Sequence, residues 1–224
     1  MEEKYQKIKE IVEKELSCSA HNMDHVMRVY NMCLRLAKDE PDIDLDVLKA
    51  SALLHDIARV KEDNDPTGKT DHAILGSKMA VPILKELNFS KEQIKHIQDC
   101  IISHRYRTGN KAKTKEAQIL FDADKLDSLG AIGIARSFVW VGRNNAKIYT
   151  ETDIKKYIDE NLGGKINGRI QDKTKHSPQI EFETKLKFLI TKLHTAKAKE
   201  ICKERIEFYK SFLDRLKREI DGKL

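Results

Sequence analysis

The chain has 224 residues, 42 basic against 36 acidic side chains for a net charge of +6, and only 6% aromatics. That length supports one large domain or two small ones with a sizeable core and no need of disulfides. No apolar stretch approaches the roughly 20 residues of a helical membrane span, and Met1 to Glu15, charged and without an apolar core, is not expected to be a secretory leader.

The apolar spacing is helical nearly throughout. Ile8, Ile11, Val12 and Leu16 line a first helix within residues 1–16, and His25, Val26, Val29, Met32, Cys33 and Leu36 line a second. The acidic, proline-containing stretch from Lys38 to Asp44 breaks the pattern, and Asp46 to Val60 reads as a third helix. Lys61 to Asp71 is polar and holds Pro66 and Gly68, so it is expected as a loop, mobile until a ligand closes it. Helices are then expected over His72 to Leu87, Ser90 to Ser103, Lys115 to Leu129 and Ala131 to Val141; Ser90 with Gln93 forms a capping-box signature. From Arg143 to Gln179 the periodicity fades, and this reads as an irregular insertion with one short helix near Thr152 to Glu160. Two helices close the chain, Ile180 to Leu193 and Thr195 to Ile220, the second capped by Thr195 and stopped by Asp221-Gly222. The expectation is an all-α fold over residues 1–224, a single domain with an insertion at 143–179 and C-terminal helices at 180–224 packing on it.

The basic excess permits an anionic substrate, but most lysines alternate with glutamates at helical spacing, as in Lys4, Lys7, Lys9, Glu10, Glu13 and Lys14. Such runs read as solvated helix faces. Without an aromatic stripe or a localised Lys/Arg stripe, nucleic-acid binding is disfavoured. The cysteines Cys18, Cys33, Cys100 and Cys202 are widely spaced, without a CxxC pair, and read as reduced core thiols of a cytoplasmic protein.

The chemistry concentrates on His55-Asp56, which ends the apolar run Ala50 to Leu54 and lies between His25 and Asp124. Polar groups at the end of such a run cost free energy unless something pairs with them. Two imidazoles and two carboxylates are a mixed nitrogen/oxygen ligand set that leaves positions for water and a phosphate oxygen. His21, four residues before His25, could join as a clamp or serve the helix start, as Asn22 and Asp24 could.

The order His25…His55-Asp56…Asp124 resembles the HD-domain superfamily of metal-dependent phosphohydrolases, in particular its small prokaryotic members. The segments carrying the resemblance are His25-Val26-Met27-Arg28-Val29, Ala52 to Ile57, Ile102-Ser103-His104, Asp122 to Asp127 and the run from Phe182 to Phe208. It implies His25, His55, Asp56 and Asp124 as metal ligands, with Ala123-Asp124 matching the family's Ala-Asp pair. Asp127 shares a helix face with Asp124 and is left as a neighbouring acid/base or as a helix-face residue. For His72 and His104 the resemblance leaves a second metal, a substrate-facing role and a structural role open. Arg59, Lys61, Arg105 and Lys125 are candidates for neutralising phosphate charge, or ordinary surface charges. Mn²⁺ is the favoured ion, with Mg²⁺, Fe²⁺, Ni²⁺ and Zn²⁺ chemically compatible.

The implied activity is hydrolysis of a nucleotide or similar small phosphorylated compound, nucleoside triphosphate pyrophosphohydrolysis first among the reactions. A 5′-nucleotidase, a cyclic-nucleotide phosphodiesterase, a di-iron oxygenase using the same six residues, and a non-enzymatic helical protein with a structural metal are the alternatives.

Overall fold

The computed structural model describes residues 2–16, 22–105, 109–166 and 168–224; His21 and Cys18 lie outside them. The described residues are all-α and contain no strand. They divide into two compact units, Met1–Asp124 and Lys125–Leu224.

In the first unit, α1 (Glu3–Glu15), α2 (Met23–Ala37) and α6 (Lys91–Ser103) pack around α3 (Leu45–Leu54). The sequence of α3 explains its central place: from Val47 to Leu54 every side chain but Lys49 is buried, and a helix apolar on all sides needs neighbours on all sides. Its start is fixed by Asp44, whose carboxylate accepts the Asp46 and Val47 N–H groups at 3.0 Å each. The Asp44 N–H in turn donates to the buried Glu116 of α7 (Lys115–Leu126) at 2.8 Å. α4 (Arg59–Asp63) and α5 (His72–Glu86) complete the unit, α5 lying along α6. The expected capping box of α6 is present, Ser90 accepting from the Gln93 N–H at 3.1 Å.

Two expected helices are corrected. The segment 46–60 is not one helix: α3 ends at Leu54, residues 55–58 form turns, and Arg59 starts α4. The cause is local. His55 Nδ1–H donates to the Ala52 carbonyl at 2.8 Å, engaging an oxygen that a continuing helix would use for its own N–H. The next bonds tighten to three-residue turns, Ile57 N–H to Leu54 O and Arg59 N–H to Asp56 O. The loop therefore begins after Asp63 rather than at Lys61, and Asp65 organises it by accepting from the N–H groups of Thr67, Lys69 and Thr70.

The second correction falls in the second unit. Ile180 to Leu193 divides into α10 (Pro178–Thr184) and a 3₁₀ segment, Leu186–Thr191, at a non-helical Lys185 (φ −142°, ψ −57°). Leu186 and Leu189, three apart, lie on one edge of a 3₁₀ turn, and both are buried. α8 (Gly130–Arg143), α10 and α11 (Ala196–Ile220) pack together, with Phe182 stacked on Tyr209 at 5.3 Å and Phe138 edge-on to Phe212 at 5.9 Å. Gly130 opens α8 at φ 66°, and Arg205 carbons stand 3.0 Å from where a Cβ would be, so both backbone and space favour glycine. The segment read as an insertion carries α9 (Ile154–Asn161), close to the expected short helix, and Tyr157 and Leu162 form a small core with Ile180.

That segment is pinned by a buried polar chain: Asn161 donates to Tyr157 Oη (2.7 Å), Tyr157 Oη meets His176 Nδ1 (2.8 Å), and His176 Nε2 lies 3.2 Å from Glu181. Burial alone pushes the Glu181 carboxyl up, but Lys185 and His176 outweigh it and hold it well below the usual carboxylate range. A carboxylate depressed in the folded state contributes stability that is complete above its unfolded value, roughly pH 4.5, and is lost as pH falls through the folded value. Wild-type protein should therefore lose stability on acidification below about pH 4.5 more steeply than Glu181→Gln; equal slopes in acid unfolding followed by circular dichroism would refute the pairing.

Of the cysteines, Cys33, Cys100 and Cys202 are buried. Burial pushes the Cys33 thiol far up and that of Cys100 to about 12, so both behave as core side chains rather than reactive thiols. No helix among the described residues is long and apolar enough to cross a membrane.

Candidate metal centre

Five elements of the first unit bring six side chains together: His25 from α2, His55 and Asp56 from the turn after α3, His72 from the start of α5, His104 from the end of α6 and Asp124 from α7. The four histidines and Asp56 are all at most 4% exposed. Asp124 is the most open of the six, its side chain 16% exposed.

The cluster has two halves that share Asp56. Asp56 Oδ2 lies 3.6 Å from His25 Nε2 and 3.8 Å from His55 Nε2, while Asp124 Oδ1 lies 3.5 Å from His25 Nε2. Asp56 Oδ1 lies 3.3 Å from His72 Nε2 and 3.7 Å from His104 Nε2. One carboxylate thus offers one oxygen to each half.

The ring orientations follow from helix ends. His55 and His104 are the C-cap residues of α3 and α6, and each directs Nδ1 at the carbonyl three residues back, Ala52 and Ile101. A carbonyl only accepts, so Nδ1 carries the proton and Nε2 is left as a lone pair turned into the cluster. His72 reaches the same state differently, with its Nδ1 against the Glu62 carboxylate. His72 and His104 then face each other Nε2 to Nε2 at 3.2 Å, lone pair toward lone pair. His55 Nε2 faces His25 Nε2 at 3.3 Å. The His72 and His104 acceptors, this close and this buried, repel unless a cation lies between them. Burial pushes the His55 imidazole down to about 4 against the pull of Asp56, and burial likewise lowers His72, so both rings are neutral donors to a metal near neutral pH.

The charged residues singled out from the sequence have these partners, each within its own unit. Arg59 pairs with Glu62 (3.1 Å) and Asp63 (3.4 Å). Arg105 bridges Glu62 (2.7 Å) and Asp71 (2.8 Å). Lys61 turns away to pair with Glu15. In the second unit Asp127 is buried and takes Arg136 Nη1 at 2.6 Å, and Lys125 stands two residues before it, its carbonyl accepting from Ser128. Glu62 and Asp71 were not singled out from the sequence. Both sit at the edges of a polar stretch that resembles any solvated loop, and only the spacing of Glu62 three residues after Arg59 hinted at a pair.

A buried His/Asp cluster of this form could hold divalent metal, the kind of centre a metal-dependent phosphohydrolase uses. Residues 22–129, just under half of the chain, match the HD domain. YpgQ of Bacillus subtilis is 26% identical over 208 residues, covering 91% of this chain and 86% of YpgQ, and has been solved in complex with ADP at 24% identity over the structural match with a TM-score of 0.69. An HD-superfamily hydrolase of Bacillus thuringiensis superposes with a TM-score of 0.69 at 26% identity, covering 98% of this chain and 97% of that one. The 3′-5′ exoribonuclease YhaM of Bacillus licheniformis is 33% identical over 116 residues, but these make up only 37% of that protein and 46% of this chain.

Proposed function

We propose that the chain is a two-metal phosphohydrolase that cleaves a nucleoside triphosphate and releases pyrophosphate. The observation that carries the metal reading is the facing lone pairs of His72 and His104 beside one oxygen of Asp56, with the His55 lone pair turned toward His25 beside the other. His25, His55, Asp124 and Asp56 Oδ2 would hold one divalent ion, and Asp56 Oδ1, His72 and His104 a second. With hard carboxylate oxygens beside imidazoles, Mn²⁺ suits both places. When bound, such ions activate water and neutralise charge on a phosphoryl group.

The protein's own work is to present these donors before the substrate arrives. The Ala52 and Ile101 carbonyls and the Glu62 carboxylate fix three tautomers, so little reorganisation remains when the donors take up cations. Asp56 sets the separation of the two halves, because its oxygens belong to one rigid carboxylate. The ADP of YpgQ is that protein's ligand, and it favours a nucleotide here by likeness of chain and fold alone. The described residues offer no Lys/Arg cluster free to bind a polymer backbone near the site, since Arg59 and Lys61 are paired with acids.

The test is a panel of nucleoside triphosphates, monophosphates and cyclic nucleotides, with metal-stripped and Mn²⁺-loaded protein and separated products. Pyrophosphate with the matching monophosphate, formed only with metal, is expected. Orthophosphate as the sole product would replace the reaction, and turnover indifferent to metal would overturn the centre.

A further inference from the structure

We propose that Glu62, braced by Arg105 against Asp71, is a positioning residue that determines whether the second half of the centre fills. The inference rests on the two-metal reading above and adds to it a residue outside the six donors.

The two halves are unequally built. Among the described residues, the half at Asp56 Oδ2 can draw on His25, His55 and Asp124, whereas the half at Asp56 Oδ1 has His72 and His104. With fewer donors, the second half depends more on how well each is aimed and on how much electron density each ring carries. His104 is aimed by a neutral carbonyl within its own helix. His72 is the first residue of α5 and has no preceding turn of helix to supply such a carbonyl. Its Nδ1–H goes instead to Glu62, a full negative charge, which makes the ring the stronger donor.

Glu62 is itself held from the other side. Its Oε2 takes His72 and Arg59, and its Oε1 takes Arg105 Nη2 at 2.7 Å. The other arm of the same guanidinium reaches Asp71 Oδ2 at 2.8 Å. Asp71 Oδ1 caps α5 through the Ala73 and Ile74 N–H groups, which fixes the backbone that carries His72. Arg105 also follows His104 directly in sequence. One planar fork therefore ties the ring support of His72, the backbone support of His72 and the chain position of His104, a task a single ammonium cannot reproduce. It also closes the 64–71 loop at both of its ends.

The experiment titrates Mn²⁺ into metal-stripped protein by calorimetry and counts bound ions, for wild type, Glu62→Ala, Glu62→Gln and Arg105→Lys. Wild type should bind two ions. Glu62→Ala should keep the tighter ion and weaken the other about 10- to 100-fold, the range for loss of a supporting partner. Glu62→Gln, which can still accept the proton but lacks the charge, should fall between, and Arg105→Lys should weaken the same ion alone. A second measurement needs no metal: nitrogen-15 shifts of the His72 ring should show the proton held on Nδ1 in wild type and shared between both nitrogens in Glu62→Ala. A role in stability alone would shift melting and leave that tautomer untouched. Two ions of unchanged affinity in Glu62→Ala would overturn this inference and leave the two-metal reading standing. A single ion in wild type would overturn both.

Discussion

Asp56→Ala should empty both halves of the centre at once and lower turnover by on the order of a thousandfold or more. Among the described residues Asp56 alone turns one oxygen to each half, one 3.6 Å from His25 Nε2 and the other 3.3 Å from His72 Nε2. Removing it also removes the carboxylate on which the four buried imidazoles converge, and leaves Asp124 beside His25 and Glu62 behind His72. Each half would then be a weak site, and a phosphoryl group would meet neither ion. The helices should persist, because α3 is buried from Val47 to Leu54 at all but Lys49 and its start is capped at Asp44. Circular dichroism should give unchanged helical content, and metal analysis should give close to no bound ion per chain. Asp56→Asn guards against a cavity effect: it keeps the shape, and it too should lose metal. Activity near wild type in either variant would sink the assignment of the dyad.

How much of this was legible in the sequence can be argued residue by residue. The helical class was, because apolar spacing such as Val26, Val29, Cys33 and Leu36 is set by one period and does not depend on neighbours. The apolar run before His55 and Asp56 marked that dyad as costly to bury alone, while the ordered set with His25 and Asp124 came from the resemblance to the HD family. Their convergence was not, since it needs α2, α3 and α7 packed in one particular way. The break after Leu54 was missed because periodicity registers apolar residues and is blind to a ring taking a carbonyl from its own helix. His72 and His104 could not be assigned from the sequence; what distinguishes them is that their Nε2 atoms stand 3.3 and 3.7 Å from one oxygen of Asp56. Arg59 and Arg105 looked like free cations. Their acids, Glu62, Asp63 and Asp71, lie in a stretch whose composition signals only solvent and turns. A residue that supports a ligand from behind leaves no periodic trace, so Glu62 became visible only with coordinates.

Replacing His25 and His104 by alanine, one at a time, should separate the halves. His25 faces His55 at 3.3 Å and Asp124 at 3.5 Å and makes no part of the other half, where His104 faces His72 at 3.2 Å. Each variant should therefore keep about one ion per chain while Asp56 remains to hold it. Turnover should fall in both by about a hundred- to a thousandfold, the scale of losing one preorganised charge at the reacting group. His104→Ala should carry a cost that His104→Asn reduces: the Ile101 carbonyl loses the Nδ1–H it accepts in a buried helix end, worth about 1–3 kcal/mol. Melting temperatures of the metal-free proteins would isolate that cost from the loss of metal, since a cation that binds only the folded state raises apparent stability by mass action. If His104→Ala kept two ions, the second half would have to be drawn without it. If either variant lost both, the ions would bind as one cooperative unit, and the picture of two halves sharing a carboxylate would fail.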